Sequence, residues 1–129
     1  MASNYIKDFR NLILYDKSMS LLDDIYKIII KFPEYEKYNA KSQILRCCSS
    51  IGANIAEGNS MIYRKRELYH INVALGSTGE TRYWLTLAKK RNYIKDEEFR
   101  RIDAKITEII KMLYGYYKKL QDEINKGNE

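Results

Sequence analysis

The chain has 129 residues, 45% hydrophobic and 31% charged, with a formal net charge of +6. That is one domain's worth of chain with enough apolar content to bury a core, and it excludes a disordered tail. Two adjacent cysteines, Cys47 and Cys48, and one histidine, His70, leave no disulfide framework, no zinc finger and no His-rich metal set.

Residues 1–15 read as an irregular or partly helical lead-in. Asp16 or Ser18 can cap a first helix whose apolar stripe is Met19, Leu22, Ile25, Tyr26, Ile29 and Phe32, widened by Leu21 and Ile28. Pro33 stops it, and 34–39 is a connector. A second helix runs over about 40–57 with Ile44, Leu45, Cys48, Ile51 and Ile55 inward, and Gly58-Asn59-Ser60 reads as its C-terminal stop followed by a fresh N-cap.

A third helix covers about 62–91, carrying Leu68, Ile71, Val73, Ala74, Trp84, Leu85 and Ala88. Lys89, Lys90 and Arg91 crowd its last turn, where cations suit the helix dipole. After the turn at 92–95, Asp96 reads as an N-cap. The fourth helix carries Phe99, Ile102, Ile106, Ile109, Ile110, Leu113, Tyr117 and Leu120, and the tail 125–129 is expected to fray. No stretch alternates like a strand. Four long helices with short connections imply an all-α, antiparallel up-down-up-down four-helix bundle filling a single domain.

Catalytic chemistry has little to stand on. There is no nucleophile elbow around Ser49 and Ser50, no phosphate loop and no Glu-x-x-His pair, so neither an enzyme nor a cofactor is expected. His70 reads as a surface or interface residue. The cysteines read as reduced core thiols; with no bilayer-length apolar run and no signal peptide at the start, a cytoplasmic protein without a membrane partner is expected.

Two polar pairs interrupt the apolar pattern. Asn54 and Glu57 lie three apart on helix two, and Ser77 and Glu80 three apart on helix three, so each pair shares a face. Either all four face solvent, or they form an interhelical hydrogen-bond layer that fixes register. The second reading is preferred, because Gly52, Gly76 and Gly79 each cost about 1 kcal/mol against Ala inside a helix, which close backbones would explain.

Ser50-Ile51-Gly52-Ala53-Asn54-Ile55-Ala56-Glu57-Gly58, followed by Ala74-Leu75-Gly76-Ser77-Thr78-Gly79-Glu80, closely resembles a four-helix-bundle family. It includes proteins encoded in intervening sequences of the large-subunit ribosomal RNA gene. It also includes the accessory variability determinant (Avd) proteins of diversity-generating retroelements. The resemblance implies a bundle that assembles as a homopentameric barrel and binds RNA.

Arg82-Tyr83-Trp84-Leu85 and Met112-Leu113-Tyr114-Gly115-Tyr116-Tyr117 resemble the retroelement branch, whose members partner a reverse transcriptase and its template RNA. The intact Asn-Ile-Ala-Glu-Gly and Gly-Ser-x-x-Glu strings resemble the intervening-sequence branch. The retroelement reading is taken first, with an intervening-sequence protein of unknown role, or a purely structural self-assembling bundle, as alternatives. The expected contacts to RNA or DNA backbone, or to a polymerase, are Arg64, Lys65, Arg66, Lys89, Lys90, Arg91, Arg100 and Arg101, with ordinary solvated helix faces as the competing reading.

Overall fold

Heptad-like stripes of buried side chains define the four helices of the computed structural model, which describes residues 6–127. They are α1 (Ile13–Ile28), α2 (Ala40–Asn59), α3 (Arg64–Lys90) and α4 (Asp96–Asn125), with short 3-10 turns at Phe9–Asn11, Ile29–Lys31 and Glu34–Glu36. Among the described residues there is no strand. Each helix packs on its chain neighbours, and α4 closes against α1. Lys17 meets Glu108 and Lys31 meets Glu98, so α1 and α4 run antiparallel. Cys47 opposite Thr81, with Asn54 opposite His70, shows the same for α2 and α3.

The core is aliphatic, with Leu21, Ile25, Ile28, Ile44, Ile51, Ile55, Ile71, Leu85, Ile102, Ile106, Ile109 and Leu113 fully enclosed. α1 differs from expectation in start and rotation. It begins at Ile13 with Leu12 at the N-cap position, and neither Asp16 nor Ser18 caps it. Its buried stripe is Leu14, Ser18, Leu21, Ile25 and Ile28, while Met19 and Tyr26 are exposed. Ser18 is the reason. It holds a core position because α1 passes close to α2 there: a Cβ on Gly52 would sit 3.0 Å from Ser18 Oγ. The hydroxyl is satisfied by donating to the Tyr15 carbonyl at 2.7 Å.

α2 runs through Gly58 to Asn59, so this glycine is an interior helical residue and not a stop. α3 starts at Arg64, and Ser60 closes α2 instead of opening the next helix. The centre of α3's inner face holds threonines: Thr78 and Thr81 are buried, each donating to a carbonyl one turn back at 2.8 Å. A buried hydroxyl satisfied in this way carries little penalty. Lys95, not Asp96, is the N-cap residue of α4. The Glu98 carboxylate accepts from the Lys95 backbone N–H at 3.4 Å, and Asp96, Glu97 and Glu98 fill the first turn. The tail expected to fray is helical as far as Asn125, and residues 128–129 lie outside the described residues.

Three cross-helix polar links pin the bundle. Asp24 on α1, almost fully enclosed, accepts from Lys105 at 2.6 Å and Arg101 at 3.2 Å on α4. Burial opposes its charge, but the two cations outweigh burial and hold its carboxyl below the usual range. Glu67 on α3 accepts from the Tyr116 hydroxyl on α4, and Arg82 donates to Asp103 at 2.9 Å and also to Thr107. Cys47 and Cys48 are free and buried, and burial pushes the Cys48 thiol up to about 12. Among the described residues no helix is long and apolar enough to cross a membrane.

Candidate interaction surfaces

The polar residues of α2 and α3 separate into an inner ladder and an outer fringe. Asn54 Nδ2 donates to the Ser50 carbonyl at 2.9 Å and to Ser50 Oγ at 3.0 Å. Ser50 Oγ in turn lies 2.9 Å from Ser77 Oγ on α3, and Asn54 Oδ1 lies 3.0 Å from His70 Nδ1. Asn54 and Ser77 are therefore joined through Ser50, with His70 as a member that the sequence spacing did not bring in.

Glu57 and Glu80 stand outside this ladder. The Glu57 side chain is 61% exposed and reaches only the His70 ring, at 3.7 Å. Glu80 is exposed and accepts from Trp84 Nε1, one turn along its own helix, at 3.1 Å. Helix geometry explains the split. Residues three apart differ by about 60° around the axis, so only one of each pair faces the neighbouring helix.

The glycines divide in a corresponding way. A Cβ on Gly58 would lie 2.9 Å from His70 Cβ and 3.3 Å from the Glu67 carbonyl oxygen, so α3 crosses α2 directly over it. Gly52 does the same for α1. Around Gly76, Gly79 and Gly115 a Cβ would meet nothing within 4 Å. Close packing inside the bundle is therefore not why Gly76 and Gly79 are there, contrary to the expectation from sequence.

Both lie on the outward face of α3, in the row Lys65, Tyr69, Asn72, Gly76, Gly79, Tyr83, Thr86 and Lys90, every member exposed. The row alternates steps of four and three residues, the spacing of a helix seam, with tyrosines on either side of a flat centre. α2 contributes exposed Ser49 and Ala53 beyond the ladder. Tyrosine is common where one side of a ring is covered by a partner and its hydroxyl stays wet.

The eight expected contact cations do not form one site. Arg64, Lys65 and Arg66 lie at one end of α3 and Lys89, Lys90 and Arg91 at the other, about 40 Å away for 27 helical residues. Arg64 is engaged within the chain, donating to Glu123 at 3.0 Å beside Glu67, at the edge of an open cleft of about 300 Å³.

At the far end, antiparallel packing does bring α3 and α4 cations together. There Lys89 and Arg100 share the Asp96 carboxylate at 2.8 and 2.6 Å, and Arg101 is held by Asp24. Lys90 and Arg91 remain exposed, with Lys27, Lys31, Lys37 and Lys95 exposed on neighbouring segments. The sequence displays the cations and the nearby Asp96, but not Asp24, which reaches Arg101 from 77 residues away.

Among the described residues no group of three or more His, Cys, Asp or Glu side chains is placed to hold a metal ion. What the fold and surfaces define is an antiparallel helical bundle with a polar ladder between α2 and α3 and an outward row of tyrosines and small residues on α3. Residues 10–115 match the 23S rRNA-intervening sequence protein family, and the chain belongs to that family.

Among solved structures it is similar to a protein of unknown function from the S23 ribosomal protein family of Bacteroides thetaiotaomicron. The two share 35% identity over 82% of this chain and 99% of that one, with a TM-score of 0.74. No curated protein matches.

Proposed function

We infer that the chain is a non-enzymatic, self-assembling protein that binds nucleic-acid backbone, acting in the cytoplasm as an intervening-sequence-type bundle. The observation that carries the reading is the outward row of α3. Gly76 and Gly79 cost helix stability without easing any contact inside the chain, and Tyr69 and Tyr83 flank them in the open. A second copy laid along this seam is the simplest use for it, and a homopentameric ring is the assembly expected. Repetition around a ring would multiply the Lys90 and Arg91 cations into a multivalent surface for phosphates.

The family match favours the intervening-sequence reading over a role beside a reverse transcriptase. The residues that resemble the retroelement branch have work within the chain: Arg82 holds Asp103 and Thr107, and Trp84 bonds Glu80. A polymerase partner remains the second reading, supported by the exposed Tyr83 and Tyr114.

Titrating labelled RNA with protein at several salt concentrations tests the nucleic-acid half. The expected result is binding that weakens steeply with salt. Reversing Lys90 and Arg91 to Glu should lower affinity at low salt at least tenfold and reduce the salt slope by roughly 1–2 per subunit contact. Unchanged binding by the reversed protein removes Lys90 and Arg91 as the contact, and no binding at low salt leaves a purely structural bundle as the better reading.

A further inference from the structure

The connector between α1 and α2 is built more firmly than a linker needs to be. Successive i→i+3 hydrogen bonds run along it: Glu36 N–H to the Pro33 carbonyl at 2.9 Å, Lys37 to Glu34 at 3.0 Å and Asn39 to Glu36 at 3.0 Å. The Glu36 carboxylate is tucked underneath. It accepts from the Tyr93 hydroxyl at 2.7 Å, from Asn39 Nδ2 at 3.1 Å and from the Ala40 backbone N–H at 3.4 Å. Tyr93 also packs on buried Phe32, ring centroids 5.2 Å apart, so the connector is fastened to the α3–α4 turn.

This rigid turn holds two aromatic rings in solvent. Tyr35 is 79% exposed and Tyr38 is 85% exposed, with Ile30 alongside in sequence at 80%. Tyr35 is steadied at its tip, its hydroxyl 3.3 Å from that of Tyr93, while the ring stays open. The Lys37 ammonium lies 5.4 Å from the centre of the Tyr38 ring. The hydrogen bond from Tyr93 above all holds the Glu36 carboxyl below its usual range, and Arg91 on the adjoining turn adds to the effect. The exposed cations of this end, Lys27, Lys37, Lys90, Arg91 and Lys95, outnumber the exposed acids Glu34, Asp96 and Glu97, with Lys31 paired to Glu98.

Open aromatic faces held on a stiff turn among cations suit a strand whose bases are free to stack and whose phosphates are negative. A base inside a duplex has both faces covered and offers nothing to such rings. We propose that this end of the bundle binds an unpaired nucleic-acid strand, with bases stacking on Tyr35 and Tyr38 and phosphates lying along Lys37 and Arg91. The inference rests on the nucleic-acid reading above and narrows it from backbone in general to single strands.

The test compares the full-length chain with Tyr35→Ala/Tyr38→Ala and Tyr38→Phe variants. Each is titrated at one low salt concentration with an unpaired RNA oligonucleotide and with an RNA duplex of the same length. Wild type should prefer the unpaired strand at least tenfold. The double alanine variant should lose that preference while holding the duplex as before, and Tyr38→Phe, which keeps the ring, should behave like wild type.

Equal wild-type affinity for both forms, or a preference that survives the double substitution, overturns the stacking site while leaving backbone binding intact. Failure to bind either form removes the nucleic-acid reading and this site with it. A fall in solution mass on replacing the two tyrosines, with strand preference unchanged, assigns the patch to a second copy of the chain and overturns the proposal as well.

Discussion

Glu67→Ala is expected to lower the unfolding free energy by about 2–4 kcal/mol, the range for stranding a buried polar partner or breaking a buried charge contact. Glu67 is 2% exposed and is the main link between α3 and α4 at the end where α2 turns into α3. Its removal leaves the Tyr116 hydroxyl in a half-buried position and frees Arg64 from one of its two acids. Burial and the Glu67 carboxylate together raise the Tyr116 phenol above its ordinary range, so the hydroxyl stays protonated and able to donate. Tyr116→Phe should cost less, about 1–2 kcal/mol, because Arg64 still faces the carboxylate. Urea unfolding followed by circular dichroism measures both. A loss below about 0.5 kcal/mol for Glu67→Ala, the size of an ordinary surface substitution, would show that this link is not structural.

The second large effect sets one glycine against two others. In Gly58→Ala the new methyl has to fit 2.9 Å from His70 Cβ and 3.3 Å from a backbone oxygen. Neither neighbour is the loose end of a side chain, so α2 and α3 must part. Overpacking of this kind costs about 1–3 kcal/mol, against which the better helix propensity of Ala returns about 1. A net loss of up to about 2 kcal/mol follows from those two ranges.

Gly76→Ala and Gly79→Ala carry the opposite sign for the isolated chain. Nothing stands in the way of either methyl, and each should add up to about 1 kcal/mol to helix stability. If a second copy packs on that face, the same methyls weaken its docking. Unfolding and solution mass, measured on the same variants, separate these two consequences. Equal destabilisation by all three alanines would mean that the outward face is not open in the way described.

These glycines also show how far the sequence could be read. Periodicity alone gave four helices and most of the core, because Ile44, Ile51, Ile55, Ile102, Ile106 and Ile109 repeat at helical spacing and all are buried. It misjudged the rotation of α1, since a serine occupies the core position opposite Gly52 and breaks the apolar stripe. It took Gly58 for a helix stop because a glycine that admits a crossing helix looks, in one dimension, like a glycine that ends one. The Asn-Ile-Ala-Glu-Gly string is thereby explained as packing: Asn54 bridges to Ser50 and His70, Ile55 is core, and Gly58 makes room for α3.

The surfaces were harder to read. Lysine and arginine runs are visible along the chain, and so is the one-turn pair Asp96–Arg100, but the acids that claim Arg64, Lys89 and Arg101 are identified only by the packing of the helices. Asp24 lies 77 positions from Arg101 and meets it only because α4 closes against α1. The outward row of α3 is legible in retrospect as a second, polar-to-small seam at helical spacing beside the buried one. Apolar periodicity passes over it because its centre is made of glycine and asparagine.

The self-assembling half of the proposed function hangs on that outward face being covered by another copy. The direct test is the mass of the wild-type protein in solution, by light scattering after size exclusion at micromolar concentration. The expected result is a single species at several times the chain mass of 15.3 kDa, near five copies for the ring. A species that stays at 15.3 kDa across the accessible concentration range would contradict it.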